Sequence, residues 1–289
     1  AGDGNDTITL GTGADSIDAG NGADSIVGGS NINASDTIDG GADSDVLTFT
    51  DNGTATTDLN NVTNVEVVTL GNAVTNVITL DTLVAAGATL TVNGSTLTNN
   101  LTWNGAAETN GKFSITSGSG TDTITGGAGA DTINSDGGAD VIVTGNGNNV
   151  VSAGDGDDTI TLGTGNDSID AGNNNDSIVG GVNIDTNDTI NGGVGSDTLT
   201  FTDSDGVTTD LDNVTNVEVV ILGDAVTSVT TVNSLVASTA TLTVNGTALT
   251  NSLTWNGAAE TDGKFSITSG SGADTITGGA GADTINSDG

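Results

Sequence analysis

The chain has 289 residues, 38 of them acidic and two basic, for a formal net charge of −36 at neutral pH, and it contains no His, Cys, Met, Pro or Tyr. That balance excludes nucleic acid and anionic membrane surfaces as partners and points to cations, while the missing His and Cys exclude imidazole bases, Ser-His and Cys-His nucleophiles, H-E-x-x-H zinc sites and disulfide staples. Apolar residues make up 33% and aromatics 2%, too few to offset conformational entropy by burial alone, and no apolar run is long enough to span a bilayer.

From its first residues the chain repeats one pattern: Gly2-Asp3-Gly4-Asn5-Asp6-Thr7-Ile8, then Gly11-Thr12-Gly13-Ala14-Asp15-Ser16-Ile17, then Gly20-Asn21-Gly22-Ala23-Asp24-Ser25-Ile26. The glycines permit positive-φ turns, the Asp supplies a hard oxygen, and the following x-Ile-x predicts a three-residue strand with one buried side chain. The phased aspartates are Asp6, Asp15, Asp24, Asp36, Asp45, Asp122, Asp131, Asp140, Asp158, Asp167, Asp176, Asp188, Asp197, Asp274 and Asp283, each followed two positions later by Ile or Leu. Asn149 stands where an Asp is due, which puts that site in doubt. The steps from Asp24 to Asp36 and from Asp176 to Asp188 are twelve residues, not nine, and predict a loop insertion that preserves phase.

Between the repeat blocks runs a second texture, from about Phe49 to Ser117 and again from Phe201 to Ser269, poor in paired glycines and rich in β-formers. Its predicted strands are Val65-Glu66-Val67-Val68, Val77-Ile78-Thr79-Leu80, Leu90-Thr91-Val92, Leu101-Thr102-Trp103 and Phe113-Ser114-Ile115. Their spacing suits two strands per coil, so the spacer is expected to continue a solenoid without metal; a small separate β-sandwich is the alternative. Leu83-Val84-Ala85-Ala86 predicts a single helical turn. Residues 153–289 repeat residues 1–137 at an offset of 152, with Trp103 on Trp255 and Glu66 on Glu218, a tandem array. The division is 1–48 repeat block, 49–116 spacer, 117–200 repeat block, 201–268 spacer and 269–289 the start of the next block. Neither end carries a capping segment, so further coils are expected beyond both.

Trp103 and Trp255 read as core aromatics of the wider coils. Glu66 and Glu108 do not read as a catalytic pair: one lies between strand valines, the other in the loop from Asn104 to Lys112. Lys112 and Lys264 follow Glu108 and Glu260 by four residues, which predicts local surface ion pairs of little energetic weight. Asp3, Asp43, Asp155 and Asp157 read as solvated loop charges.

The nonapeptide series resembles the RTX (repeats-in-toxin) family of secreted, calcium-loaded parallel β-rolls. The resemblance implies many Ca²⁺ ions held between adjacent loops by the fifteen aspartates named above together with glycine carbonyls, and binding at about 10⁻⁴ to 10⁻³ M, the range of extracellular modules. Stacked carboxylates about 4.8 Å apart repel by about 1 kcal/mol per neighbour in water, and by about 3–4 kcal/mol at an effective dielectric near 20, so the ion is the fastener of the fold. The expected architecture is all-β: a right-handed parallel β-solenoid of calcium-binding β-roll blocks alternating with wider β-helix-like spacer coils. The expected protein is not an enzyme. It is secreted, in the extracellular space or at the surface of a bacterium, and forms or stiffens a filament or surface layer, with copies of itself as partners end to end and laterally. The extender region of a giant adhesin is the alternative, ahead of a secreted enzyme's tail or an ice-binding module.

Overall fold

In the computed structural model, residues 1–50, 57–73, 76–202, 207–226 and 228–287 are described. They form two compact units, Ala1–Gly154 and Asp155–Gly289, each a parallel β-solenoid. No helix occurs among the described residues.

In the first unit one aliphatic ladder passes through repeat block and spacer alike. Ile8 pairs with Ile26, Ile26 with Leu47, Leu47 with Val68, Val68 with Val92, Val92 with Ile115, Ile115 with Ile133 and Ile133 with Val151, every pair parallel. Facing it are two shorter ladders, Ile17–Ile38–Val62 and Val77–Trp103–Ile124–Ile142. The single aliphatic residue of each x-Ile-x strand is the one that points inward, because successive strand side chains alternate between faces. From Ile26 inward along the stack the core ladder residues are buried, whereas Ile8, on the outermost coil, is half-buried.

The second unit repeats the plan. Its long ladder is Ile160–Ile178–Leu199–Val220–Val244–Ile267–Ile285, and its shorter ones are Ile169–Ile190–Val214 and Val229–Trp255–Ile276. In each unit the spacer strands join the same sheets as the repeat strands, so the spacer is solenoid and not a sandwich.

Both tryptophans are fully buried, and each meets a phenylalanine of the next strand edge-on: Trp103 and Phe113 at 5.6 Å and 82°, Trp255 and Phe265 at 5.7 Å and 79°. These rings fill the wider spacer coils, where an aliphatic side chain would leave a void. The predicted helical turn at Leu83-Val84-Ala85-Ala86 does not form. The segment makes two tight turns instead, Leu83 N–H to the Leu80 carbonyl at 3.1 Å and Ala88 N–H to Ala85 at 2.8 Å. Together they turn the adjacent Leu83 and Val84 side chains both inward, where they are buried. The twelve-residue steps hold phase as expected, since Ile17 pairs with Ile38 and Ile169 with Ile190. The inserted loops tuck Ile32 and Ile184 into the core over Gly28 and Gly180, where a Cβ would overlap the isoleucine.

Candidate metal centres

Each aspartate of the series closes a loop just before a strand, which fixes its side chain beside the preceding coil. The carboxylates stack in register. Asp24 Oδ1 accepts the N–H of Asp6 at 2.7 Å, and Asp45 Oδ1 that of Asp24 at 2.8 Å. Asp140 Oδ1 accepts the N–H of Asp122, Asp176 that of Asp158 and Asp197 that of Asp176, at 2.7–2.8 Å. On the opposite edge Asp36 takes the N–H of Asp15 and Asp188 that of Asp167. The sequence separation along a ladder is 18 residues where two nonapeptides make the coil and 21 where the insertion is present. Where spacer meets repeat, the earlier coil offers the N–H of an apolar residue: Leu101 to Asp122, Phe113 to Asp131, Leu253 to Asp274 and Phe265 to Asp283.

The second carboxylate oxygen decides what the site can hold. Oδ2 of Asp15, Asp24, Asp45, Asp176 and Asp197 is buried and has no hydrogen-bond partner. A buried anionic oxygen without a donor is strongly unfavourable, so these atoms call for a cation or a proton. Asn149 shows what lies opposite. Its Oδ1 accepts the Asp131 N–H at 2.9 Å, as an aspartate's would, while its Nδ2 donates to the carbonyls of Gly147 at 3.0 Å and Gly145 at 3.4 Å. An aspartate in the same conformation would set an acceptor against those carbonyls. The donor set is therefore carboxylate plus loop carbonyls, all hard oxygen, which suits Ca²⁺. No group of three or more acidic side chains that could hold a metal occurs among the described residues, so carbonyls must supply much of any coordination shell.

Not every site is alike. Asp36 Oδ2 accepts the backbone and side-chain N–H groups of Asn33 at 2.8 and 3.0 Å, and Asp188 Oδ2 the Asp185 N–H at 2.8 Å, so the inserted loops satisfy their own aspartates. Asp131 Oδ2 accepts the Gly127 N–H at 2.7 Å, and Asp274 Oδ2 the Ser269 hydroxyl. Burial pushes the carboxyls of Asp140 and Asp176 up to about 6, with backbone N–H donors opposing the rise. The same cause raises Asp45, Asp122, Asp131, Asp188 and Asp197 above the ordinary aspartate value.

Two further members of the ladder are glutamates. Glu66 Oε2 accepts the Asp45 N–H and Glu218 Oε2 the Asp197 N–H, both at 2.8 Å. The signal was present in the sequence: each acid is followed two residues later by a buried aliphatic, Val68 or Val220, as every repeat aspartate is. The surface ion pairs expected at Glu108 and Glu260 are not made. Both glutamates are fully buried, and their carboxylates accept backbone N–H groups of Asn110 and Gly111, and of Asp262 and Gly263. Asp3 is exposed as expected and accepts the Asn21 side-chain amide at 2.8 Å.

These features define a parallel β-solenoid whose turns present stacked carboxylates and carbonyls to a cation. The family described as RTX calcium-binding nonapeptide repeat (4 copies) matches residues 1–34, 33–49, 116–151, 152–186, 185–199 and 266–289, more than half of the chain, and the chain belongs to that family. Its repeats bind multiple Ca²⁺ ions, its members are typically secreted bacterial proteins, and its solenoid is a structural, generally non-catalytic fold. No curated protein and no solved structure matches the chain.

Proposed function

We propose that this chain is an extracellular structural protein, a solenoid whose coils are fastened by calcium and which forms or stiffens a filament or surface layer on a bacterium. The observation that carries the reading is the row of buried, unpartnered Oδ2 atoms at Asp24, Asp45, Asp176 and Asp197, at equivalent places in both units. Left alone they oppose stacking; neutralised by a divalent cation they clamp coil to coil, so folding and metal binding become one event. In this reading Asp6, Asp15, Asp24, Asp36, Asp45, Asp122, Asp131, Asp140, Asp158, Asp167, Asp176, Asp188, Asp197, Asp274 and Asp283 hold the ions. For Asp24, the carbonyls equivalent to those that Asn149 meets are Gly20 and Gly22. Ca²⁺ supplies the positive charge and accepts six to eight oxygens, about the number that two loops can offer.

A mechanical role also fits what the surface offers. The cavities beside Glu66 and Glu218, about 30 Å³ each, admit little more than a water. Each coil is complementary to the next in the same register, so a second copy is the natural partner, end to end and laterally, and the charge of −36 disfavours nucleic acid and membrane insertion. Negative-stain imaging at millimolar calcium, repeated after chelation with EGTA, tests this. Fibres or a lattice that dissolve on chelation are expected. Separate short rods would move the role to the extender of an adhesin.

A further inference from the structure

Glu108 lies in a polar loop, Asn104-Gly105-Ala106-Ala107-Glu108-Thr109-Asn110-Gly111-Lys112, yet its side chain is 0% exposed, and Glu260 in the equivalent loop is also at 0%. In each, Oε1 is held by two backbone N–H groups: Asn110 and Gly111 at 3.1 and 2.7 Å, Asp262 and Gly263 at 3.1 and 2.8 Å. In each, Oε2 is buried with no partner. The two copies differ in sequence around this point and still reproduce the same orphaned oxygen.

Among the described residues no ion pair reaches either carboxylate. Lys112 is exposed, and among the described residues no ion pair joins it to Glu108. Asp81 lies against the residue that follows Glu108, its Oδ1 held by the Thr109 N–H and hydroxyl at 2.7 and 2.6 Å. Asp131, on the following coil, is close enough for the Glu108 charge to add to the burial that raises its carboxyl. The loop of that coil packs directly against the glutamate, with the Ala128 N–H on the Glu108 carbonyl at 2.8 Å. In the second unit Asn233 takes the place of Asp81, accepting the Thr261 N–H and hydroxyl at 2.7 and 2.6 Å, and the Ala280 N–H reaches the Glu260 carbonyl at 2.9 Å. Asn233 thus holds the loop at Thr261 as Asp81 holds it at Thr109, while the charge at that position changes.

We propose that Glu108 and Glu260 each anchor a further Ca²⁺ site, one per unit, where the spacer meets the following repeat block. Glu Oε2 is the inner ligand, and the side-chain oxygen of Asp81 or Asn233, both at exposed positions, completes the outer side and gives the ion a way in. All the donors are oxygen, with no nitrogen or sulfur ligand to hold zinc or copper, so the site takes a hard cation of calcium size. This inference rests on the reading that the chain folds with calcium, but not on the aspartate ladders, since neither glutamate is a ladder member. The site ties the metal-free spacer to the calcium-bearing block, where a ladder begins on an apolar residue, Phe113 or Phe265, in place of an acid.

The test is a count of bound calcium by equilibrium dialysis and elemental analysis on the full chain and on its Glu108→Gln, Glu260→Gln and double variants. One ion fewer for each single change and two fewer for the double, with the remaining ions retained, is the expected result. An unchanged count in a folded double variant overturns the proposal, and a wild-type chain that binds no calcium overturns the functional reading with it. If the variants do not fold, infrared difference spectra of the wild-type chain with ¹³C-labelled glutamate carboxyls decide. Calcium is expected to leave every glutamate ionised, and a protonated glutamic acid band that survives at saturating calcium overturns the proposal.

Discussion

Asn149 donates its side-chain amide to the carbonyl of Gly147, two residues earlier, at 3.0 Å. The amide nitrogen stands in the place of an aspartate's second carboxylate oxygen, so this coil is closed by a hydrogen bond. Replacing Asn149 by Asp should turn the donor into an acceptor facing two carbonyls. The variant should bind one more Ca²⁺ than the wild type, and in EGTA it should lose about 1–3 kcal/mol of whatever stability remains, the cost of an unsatisfied buried polar group. Calcium counting and urea titration in EGTA measure the two effects.

The converse change tests the same geometry from the other side. Asp176 has Oδ1 on the Asp158 N–H and Oδ2 buried without a partner. In Asp176→Asn the Oδ1 bond survives, and the new N–H₂ meets the loop carbonyls as Asn149 does. One fewer bound ion is expected, together with a metal-free state more stable than the wild type's. A metal-free variant no more stable than wild type would mean that the Asp176 loop is not built like that of Asn149.

Acid should substitute for calcium in part. Burial raises the carboxyls of Asp140 and Asp176 to about 6, against an ordinary value of 3.8. Because the folded state then binds protons more tightly than the unfolded one, their contribution is fully present below about pH 4 and is lost as pH rises through about 6. The calcium-free chain should therefore be more structured at pH 4.5 than at pH 7.5. With calcium saturating, the order reverses, since protons compete with the ion for the same oxygens. Circular dichroism across this range, with and without EGTA, checks both signs.

Much of this arrangement is legible in one dimension because the solenoid converts sequence period into spatial neighbourhood. Once Asp6, Asp15 and Asp24 are phased with Ile8, Ile17 and Ile26, the pairing of Ile8 with Ile26 follows from coil length, and insertions of three residues leave it intact. Glu66 follows the same acid-x-aliphatic rule, with Val68 two residues on, but a pattern written in aspartate alone passes over it. Glu108 could not be found that way. Its burial depends on the loop of the next coil closing over it, and nothing local distinguishes it from a solvated turn residue. Leu83 and Val84 are hidden for a related reason: adjacent residues can both face inward only in an irregular turn, which neither a helical nor a strand period describes.

The spacer cores should respond to mutation like ordinary hydrophobic cores, whatever the metal does. Trp103 is fully buried against Phe113, and its indole Nε1 has no hydrogen-bond partner. Trp103→Ala should cost about 3–5 kcal/mol in saturating calcium through the cavity it leaves. Trp103→Phe should cost less, because it keeps most of the ring volume and removes an unsatisfied N–H whose burial opposes folding. The same pair of changes at Trp255, packed on Phe265 in the same edge-on manner, should give the same order. Each single variant leaves one tryptophan to report its own unit, and chelation should shift the emission of either to longer wavelength as the coils open. Equal costs for Phe and Ala at either site would show that the ring's volume is not what fills the wide coil.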